Sequence, residues 1–245
     1  MAQARIGMIV PSLNTIAEDD CRRFMPAEVG YHVHRVRLRR REGRVSMDGL
    51  LQAWLEAEDE AALLADLRPT AILFNCTGAS VAHGPRDDVL LARRMSQSLG
   101  LPATNTMVAI KQALRAVGAT SIVHVCPFAD EFSEIERASL ADAGLRIVHS
   151  VGLGFTDARS AAQMTPEDVA EIALKHDTPE ADALLLSCAN VRAFEAVTTL
   201  EARLGKPVIT SNQAAMWAAL RLAGWTGPVG GGGRLFECRD LPEVA

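Results

Sequence analysis

The chain has 245 residues, of which 49% are hydrophobic, 22% charged and only 4% aromatic. That balance fits an ordinary folded protein and excludes a disordered or fibrous one, with a core built mainly of Ala, Leu and Val. A net charge of −5 argues against a nucleic-acid partner. No apolar run approaches the roughly 20 residues needed to span a bilayer. Ile6–Val10 is too short for the apolar core of a secretory leader, so the cytoplasm is the expected compartment. Five cysteines without regular spacing predict reduced thiols rather than a disulfide framework.

Short apolar runs alternate with longer amphipathic segments, the pattern of βαβ units. In chain order, a strand over Arg5–Val10 passes through Pro11-Ser12-Leu13-Asn14-Thr15 into a helix over Ile16–Phe24. A strand at His32–Val36 precedes a long helix over Met47–Leu67. Next come a strand at Ala71–Asn75, a helix over Asp87–Leu99, a strand at Ala103–Thr104 and a helix over Met107–Val117. The pattern then repeats with strands at Ser121–Val125, Arg146–Ser150, Ala183–Ser187 and Val208–Thr210. Helices are predicted over Glu131–Ala143, Pro166–Lys175, Val191–Leu204 and Gln213–Ala223. Thr165 before Pro166, with Asp168 following, is a helix-start signal. Gly100, Gly118, Gly144, Gly205 and Gly224 mark helix stops, where a residue tolerant of positive φ can end the helix. Strands that are almost continuously apolar predict parallel sheets covered on both faces.

The two halves echo one another. Ala71-Ile72-Leu73-Phe74-Asn75-Cys76 matches Ala183-Leu184-Leu185-Leu186-Ser187-Cys188, and Leu99-Gly100-Leu101-Pro102 matches Leu204-Gly205-Lys206-Pro207. Ile6–Pro11 corresponds to Ile122–Pro127 in the same way. The fold class expected is α/β, with two similar parallel-sheet lobes about a pseudo-twofold axis. Residues 1–106 form the first lobe, 107–212 the second, and 213–245 pack back on the first. Ligands of open α/β sheets bind at the carboxyl ends of strands, so the duplication predicts one cleft with a thiol on each wall.

Cys76 and Cys188 are therefore the candidate catalytic residues. A lone buried cysteine is more often a small hydrophobe than a nucleophile, but both are followed by small polar turns, Thr77-Gly78-Ala79-Ser80 and Ala189-Asn190-Val191. A sulfur near a helix N-terminus is favoured as thiolate, and the amides there bind carboxylates. Thr77, Gly78, Ala189 and Asn190 are accordingly candidate substrate-binding residues. Asn14 sits in an equivalent turn, where its amide either donates to a substrate carboxylate or caps the next helix. Thr104-Asn105-Thr106 and Thr210-Ser211-Asn212 add hydroxyls and amides at two more strand ends, pointing to a small dianion or an amino acid.

Other features read as structural. Gly230-Gly231-Gly232-Gly233 lacks the Lys and Ser/Thr of a phosphate loop and reads as a flexible turn. Arg35, Arg37, Arg39, Arg40, Arg41 and Arg44 read as a solvated edge strand and loop. His32 and His34 have no second ligand cluster, so no metal site is expected. Cys21 and Cys238 have no chemical context, and Cys126, before Pro127, is expected to line the cleft without taking part.

Pro11-Ser12-Leu13-Asn14-Thr15, Asn75-Cys76-Thr77-Gly78, Cys126-Pro127-Phe128, Leu186-Ser187-Cys188 and Gly233-Arg234-Leu235-Phe236 together resemble the aspartate/glutamate racemase superfamily. Within it the branch most similar is that of maleate cis–trans isomerases and arylmalonate decarboxylases. The resemblance covers nearly the whole chain. It implies a cofactor-independent enzyme with no metal, acting on a small carboxylate and assembling as a homodimer or larger homo-oligomer. It also implies that Cys76 adds to a substrate double bond, that Cys188 supplies and removes a proton, and that Asn14 holds a carboxylate. The decarboxylases keep only the second-lobe cysteine, so Cys76 argues against that reaction. Phe128 stands where the isomerase pattern has a tyrosine, and Ala158 where it has an asparagine, which removes two donors from the substrate side. The function expected is maleate isomerisation to fumarate, or the same chemistry on an altered substrate. An amino-acid or hydantoin racemase is the alternative, followed by an arylmalonate-type decarboxylase or a non-catalytic sensor of a small acid.

Overall fold

The apolar runs assemble into two four-stranded parallel sheets of the same strand order, in a computed structural model that describes residues 4–244. The first half comprises β1 (Ala4–Pro11), α1 (Ala17–Phe24), β2 (Val29–Val36), the short strands β3 (Arg40–Arg41) and β4 (Arg44–Val45), and α2 (Met47–Ala65). It continues through β5 (Ala71–Phe74), α3 (Thr77–Ser80), α4 (Asp87–Leu99), β6 (Ala103–Asn105) and α5 (Thr106–Ala116). The second half runs β7 (Ser121–Phe128), α6 (Asp130–Asp142), β8 (Arg146–Phe155), α7 (Ala158–Ala161), α8 (Pro166–His176) and β9 (Ala183–Leu186). It ends with α9 (Val197–Leu204), β10 (Val208–Thr210) and α10 (Ser211–Leu222). The sheet orders are β2-β1-β5-β6 and β8-β7-β9-β10. Each strand of one thus has a counterpart in the other, as the duplicated sequence requires. Equivalent backbone bonds underline the match: Asn75 N donates to Ile9 O at 2.8 Å, and Ser187 N to Val125 O at 2.8 Å.

Each sheet is covered on both faces, which explains its nearly unbroken apolar strands. On the outer face of the first sheet, Ile72 and Phe74 pack with Trp54, Ala57 and Ala61 of α2 and Leu91 and Met95 of α4. On the outer face of the second, Val123, Val125, Leu184 and Leu186 pack with Val169 and Ala173 of α8 and Leu200 of α9. Between the sheets lies a shared core containing Ile6, Met8, Ile122, Leu185 and Ile209, together with α5 and α10. From Ser211 to Arg221, α10 is buried on every side, its middle apolar and its buried polar residues Ser211, Asn212, Gln213 and Arg221 all hydrogen-bonded, as buried polar groups must be. Burying the larger apolar side chains of this core contributes roughly 1.5–3 kcal/mol each. Asn105 and Thr210, at the ends of β6 and β10, cap α5 and α10 by accepting from Val108 N at 3.1 Å and Gln213 N at 3.2 Å.

The predicted helix over Val191–Leu204 is shorter in the structure. Residues 189–193 form a turn, a 3-10 segment spans Phe194–Ala196, and only Val197–Leu204 is α-helical. The chain leaving Cys188 is committed to contacts with the other lobe, described below, and cannot wind immediately. The arginine-rich segment is a hairpin, with Arg40 opposite Val45 and Arg41 opposite Arg44. Its arginines are exposed, while Leu38 and Val45 turn inward. The glycine run is not a flexible turn. Gly233 has φ +65°, and a Cβ there would lie 2.6 Å from Val197. Gly232 O accepts from Gln213 Nε2 and Arg234 N donates to Glu201, each at 2.9 Å. No helix among the described residues is long and apolar enough to cross a membrane.

Candidate active site

The carboxyl ends of the central strands enclose a cavity of about 60 Å³. A water needs roughly 10–15 Å³ by this measure, so the space suits a molecule of a few heavy atoms. Cys76 and Cys188 both line it, as do Asn14, Thr77, Gly78, Phe128, Ala189 and Asn190. All eight residues singled out in the sequence therefore meet at one place. Most of the remaining wall is apolar: Pro11, Leu13, Leu38, Val45, Leu50, Phe132 and Ala158. Two polar residues complete it, Asn75 and Glu136. No lysine, arginine or histidine lies on the wall among the described residues.

Cys76 is the residue before α3, with Thr77 and Gly78 as the first two helical residues. The leading amides of a helix have no partners within it, so these two are available to a carboxylate. Gly78 brings the turn close to α2: a Cβ at this position would lie 3.2 Å from Leu50 Cδ1. Cys188 follows β9 with φ +92°, a conformation that costs a non-glycine residue roughly 1–3 kcal/mol. The Asn190 amide faces its sulfur at 3.4 Å. The Asn190 side chain then accepts from Thr15 N and donates to Ala158 O, each at 2.9 Å. The turn after Cys188 is thereby tied to the turn after β1.

The expected activation by helix dipoles does not hold. α3 is a single four-residue turn with a small dipole, and no helix directly follows Cys188. Burial dominates instead, pushing both thiols up to about 12. The Ala79 amide opposes this at Cys76 and the Asn190 amide at Cys188, while the Glu136 carboxylate raises both further. Each cysteine is thus a neutral thiol at rest.

Of the two duties left open by the sequence, Asn14 performs the capping one. Its Oδ1 accepts from Ile16 N at 3.0 Å and Ala17 N at 2.9 Å, capping α1, and its Nδ2 donates to Ala189 O at 2.9 Å. One N–H remains for a ligand. The hydroxyls and amides after β6 and β10 are not on the cavity wall, contrary to expectation. They form a layer behind it: Thr106 Oγ1 donates to Asn75 Oδ1 at 2.8 Å, and Ser211 Oγ shares a hydrogen bond with Thr77 Oγ1 at 2.9 Å. Asn75 Nδ2 donates to Asn212 Oδ1 at 3.0 Å, and Asn212 Nδ2 to Asp20 Oδ2 at 2.6 Å. Cys126, also expected on the wall, is fully buried behind it.

Glu136 is the charged wall residue that the sequence reading missed. It lies on α6, 3% exposed, and its Oε2 accepts from Ser187 Oγ and pairs with His124 Nε2 at 3.0 Å. His124 is fully buried and its Nδ1 meets Ser150 Oγ at 3.0 Å. One signal was available. Phe132, Ser133, Glu136, Ser139 and Leu140 fall on the i, i+3, i+4 stripe that faces inward, and a charge on that stripe is out of place. The apolar walls Leu38 and Val45 were also missed, because they arrive on the arginine-rich hairpin. Val45 N reaches Thr156 O at 3.2 Å, joining this hairpin to the opposite lobe.

The arylmalonate decarboxylase family model matches residues 6–236. Arylmalonate decarboxylase of Bordetella bronchiseptica is 28% identical over 95% of this chain and 96% of its own. Maleate isomerase of Nocardia farcinica is 29% identical over 97% of each. Among solved structures, a cysteine-to-serine variant of the Nocardia farcinica maleate cis–trans isomerase holds a covalently bound succinylcysteine intermediate. It superposes with a TM-score of 0.87 at 28% identity, covering 97% of this chain and 99% of that one. The maleate isomerase of Pseudomonas putida S16 with maleate gives a TM-score of 0.88 over 96% of this chain and 98% of its own. Its 24% identity makes that likeness one of fold alone. With a family match across nearly its entire length and relatives of both activities, the chain belongs to the arylmalonate decarboxylase family, in the branch that also holds the maleate isomerases.

Proposed function

We propose that this protein is a cofactor-independent isomerase that acts on a small unsaturated carboxylate through two cysteines, with maleate to fumarate as the leading reaction. The observation that carries this reading is the presence of two thiols, Cys76 and Cys188, on the wall of one small cavity. Cys76, once ionised, attacks one carbon of the double bond. The S–C bond forms as the π bond breaks, and its electron pair passes into the carboxylate on the other carbon. Cys188 delivers a proton to that carbon, leaving a thioether with a freely rotating C–C single bond. After rotation Cys188 takes the proton back, and the re-formed π bond expels the Cys76 thiolate. Splitting a hard double-bond rotation into an addition and an elimination is the usual gain of covalent catalysis. Addition of a thiol to maleate yields a succinylcysteine, the species held by the Nocardia relative.

Donors are present for one carboxylate, from the first turn of α3 and the spare N–H of Asn14. Phe128 and Ala158 also line the cavity, and their side chains carry only carbon. That favours a second reading within the same chemistry, a cis-alkenoate whose other substituent is apolar. Proton NMR in deuterium oxide tests both, with maleate and an apolar β-substituted cis-alkenoate as substrates and aspartate, glutamate and a substituted hydantoin alongside. Appearance of the trans alkene supports the proposal. Deuterium entering an amino acid or hydantoin at Cα, with no alkene isomerised, would assign a racemase instead.

A further inference from the structure

The proposed addition leaves one proton unaccounted for. Both thiols are neutral at rest, yet the reaction needs Cys76 as thiolate while Cys188 keeps its hydrogen. The proton must leave the thiol pair for another acceptor in a small, largely apolar cavity. We propose that Glu136 is that acceptor: the Cys76 S–H bond breaks, its electron pair stays on sulfur, and the proton passes to Glu136 as substrate binds. This inference rests on the two-thiol reading above.

The geometry supports it on three counts. Glu136 is the only carboxylate on the cavity wall among the described residues. His124 and Ser187 both bond its Oε2, and Oε1 has no hydrogen-bond partner among the described residues. Finally, its placement departs from that of its counterpart. Asp20 lies nine residues after Pro11 on α1, and Glu136 nine after Pro127 on α6. Asp20 is sealed behind the wall by Asn212, whereas Glu136 faces the cavity.

The groups around Glu136 set its electrostatic surroundings. Cys76, Cys126 and Cys188 face it as neutral thiols, and each has its acidity weakened by the carboxylate. His124 and Ser150 come from β7 and β8, and Ser187 follows β9. On α6, Arg137 pairs with Glu134 and reaches Ser150 at 3.3 Å, so its charge is turned from the cavity. The coupling has a useful consequence. As a carboxylate Glu136 adds to the burial that keeps the thiols protonated, and once it carries the proton that added repulsion disappears. Moving the proton from sulfur to Glu136 therefore relocates one negative charge without adding a second.

Thiol alkylation reads this directly and needs no substrate. With Glu136 ionised, the tautomer that carries the proton on Glu136 and the negative charge on Cys76 holds a constant share of the molecules as pH changes, whereas the form with both groups ionised grows tenfold per unit. Iodoacetamide labelling of Cys76, followed by peptide mass mapping, should therefore level off to a plateau at the acid end of the profile in the parent. In Glu136→Gln, which retains an acceptor for Ser187 and His124, labelling should climb about tenfold per pH unit as for an isolated thiol. Glu136→Asp should restore part of the plateau. Turnover of the alkene should fall about a hundredfold or more in Glu136→Gln and recover with rising pH, because general bases contribute roughly 10²–10⁴-fold. A parent profile that climbs tenfold per unit throughout overturns the proposal even if the glutamine variant does not fold. Identical parent and variant profiles overturn it as well. A plateau that depends on Glu136, with no alkene turned over, would leave the acceptor standing and remove the isomerase reading.

Discussion

Cys76 leaves β5 with φ −149° and begins a helical turn, whereas Cys188 leaves β9 with φ +92° and begins an irregular loop. Both strands sit at the same place in their sheets, so the difference is not one of topology. The first turn exposes helix amides and resembles a seat for a carboxylate. The second holds a sulfur in a strained position, braced by Asn190, whose side chain is anchored to Thr15 and Ala158. A buried polar residue precedes each cysteine and leads to a buried carboxylate. Asn75 leads through Asn212 to Asp20, and Ser187 leads directly to Glu136. Duplicated halves thus supply one framework, and a few residues in each make the two turns different; under the proposed function the first binds and the second handles the proton.

The severest test of this division is removal of either thiol. Cys76→Ser and Cys188→Ser should each lower turnover to below a few percent of the parent with the fold intact. A serine hydroxyl titrates far above the roughly 8.5 of an ordinary thiol and supplies no anion near neutral pH. Turnover in either variant above that level, measured by NMR on the true substrate, would break the two-thiol scheme.

The two carboxylates can be separated next. Burial raises Asp20 from 3.8 to about 7, against the opposing hydrogen bond from Asn212. A raised carboxyl holds its proton longer in the folded chain than in the unfolded one. Its contribution to stability is therefore complete below about 4 and is lost as pH rises to about 7, by a few kcal/mol at most. Asp20→Asn keeps an acceptor for Asn212 and should flatten this part of the stability curve. Thermal or denaturant melts at pH 5 and pH 8 give the answer. An unchanged difference between the two pH values would mean that Asp20 is not the group responsible.

Phe128 offers a test on the substrate side. Phe128→Tyr returns a donor to the cavity wall, and a hydrogen bond to a charged group is worth roughly 1.5–3 kcal/mol. The Michaelis constant for maleate should fall about tenfold or more, at the expense of any substrate with an apolar group there. If the parent already turns over maleate efficiently and the variant does not differ, the hydroxyl has no part in binding.

The smallest effect addresses the strained backbone. Cys188→Gly should lose activity yet relieve the positive φ, offsetting the lost side-chain contacts by about 1 kcal/mol. Cys76→Gly has no such strain to relieve and should be the less stable of the two in denaturant titrations. The reverse order would deny that the Cys188 turn stores strain.

Much of this was legible in the residues alone because it depends on local pattern. Unbroken apolar runs such as Ala183–Leu186 specify buried parallel strands, and repetition of landmarks specifies two matching sheets. A cysteine immediately after each such strand must emerge at the strand's carboxyl end, so Cys76 and Cys188 could be placed at one cleft before any coordinates. Tertiary packing decided what surrounds them. Leu38 and Val45 reach the cavity only because the arginine-rich hairpin folds over it. Thr106 and Ser211 become a supporting layer because α5 and α10 are buried between the sheets. Glu136 meets Ser187 across 51 residues of sequence, a contact set by how α6 lies on its sheet. The protonation of the thiols follows from burial, because the free energy of a charge depends on the polarity around it, and that is a property of the folded interior rather than of neighbours along the chain.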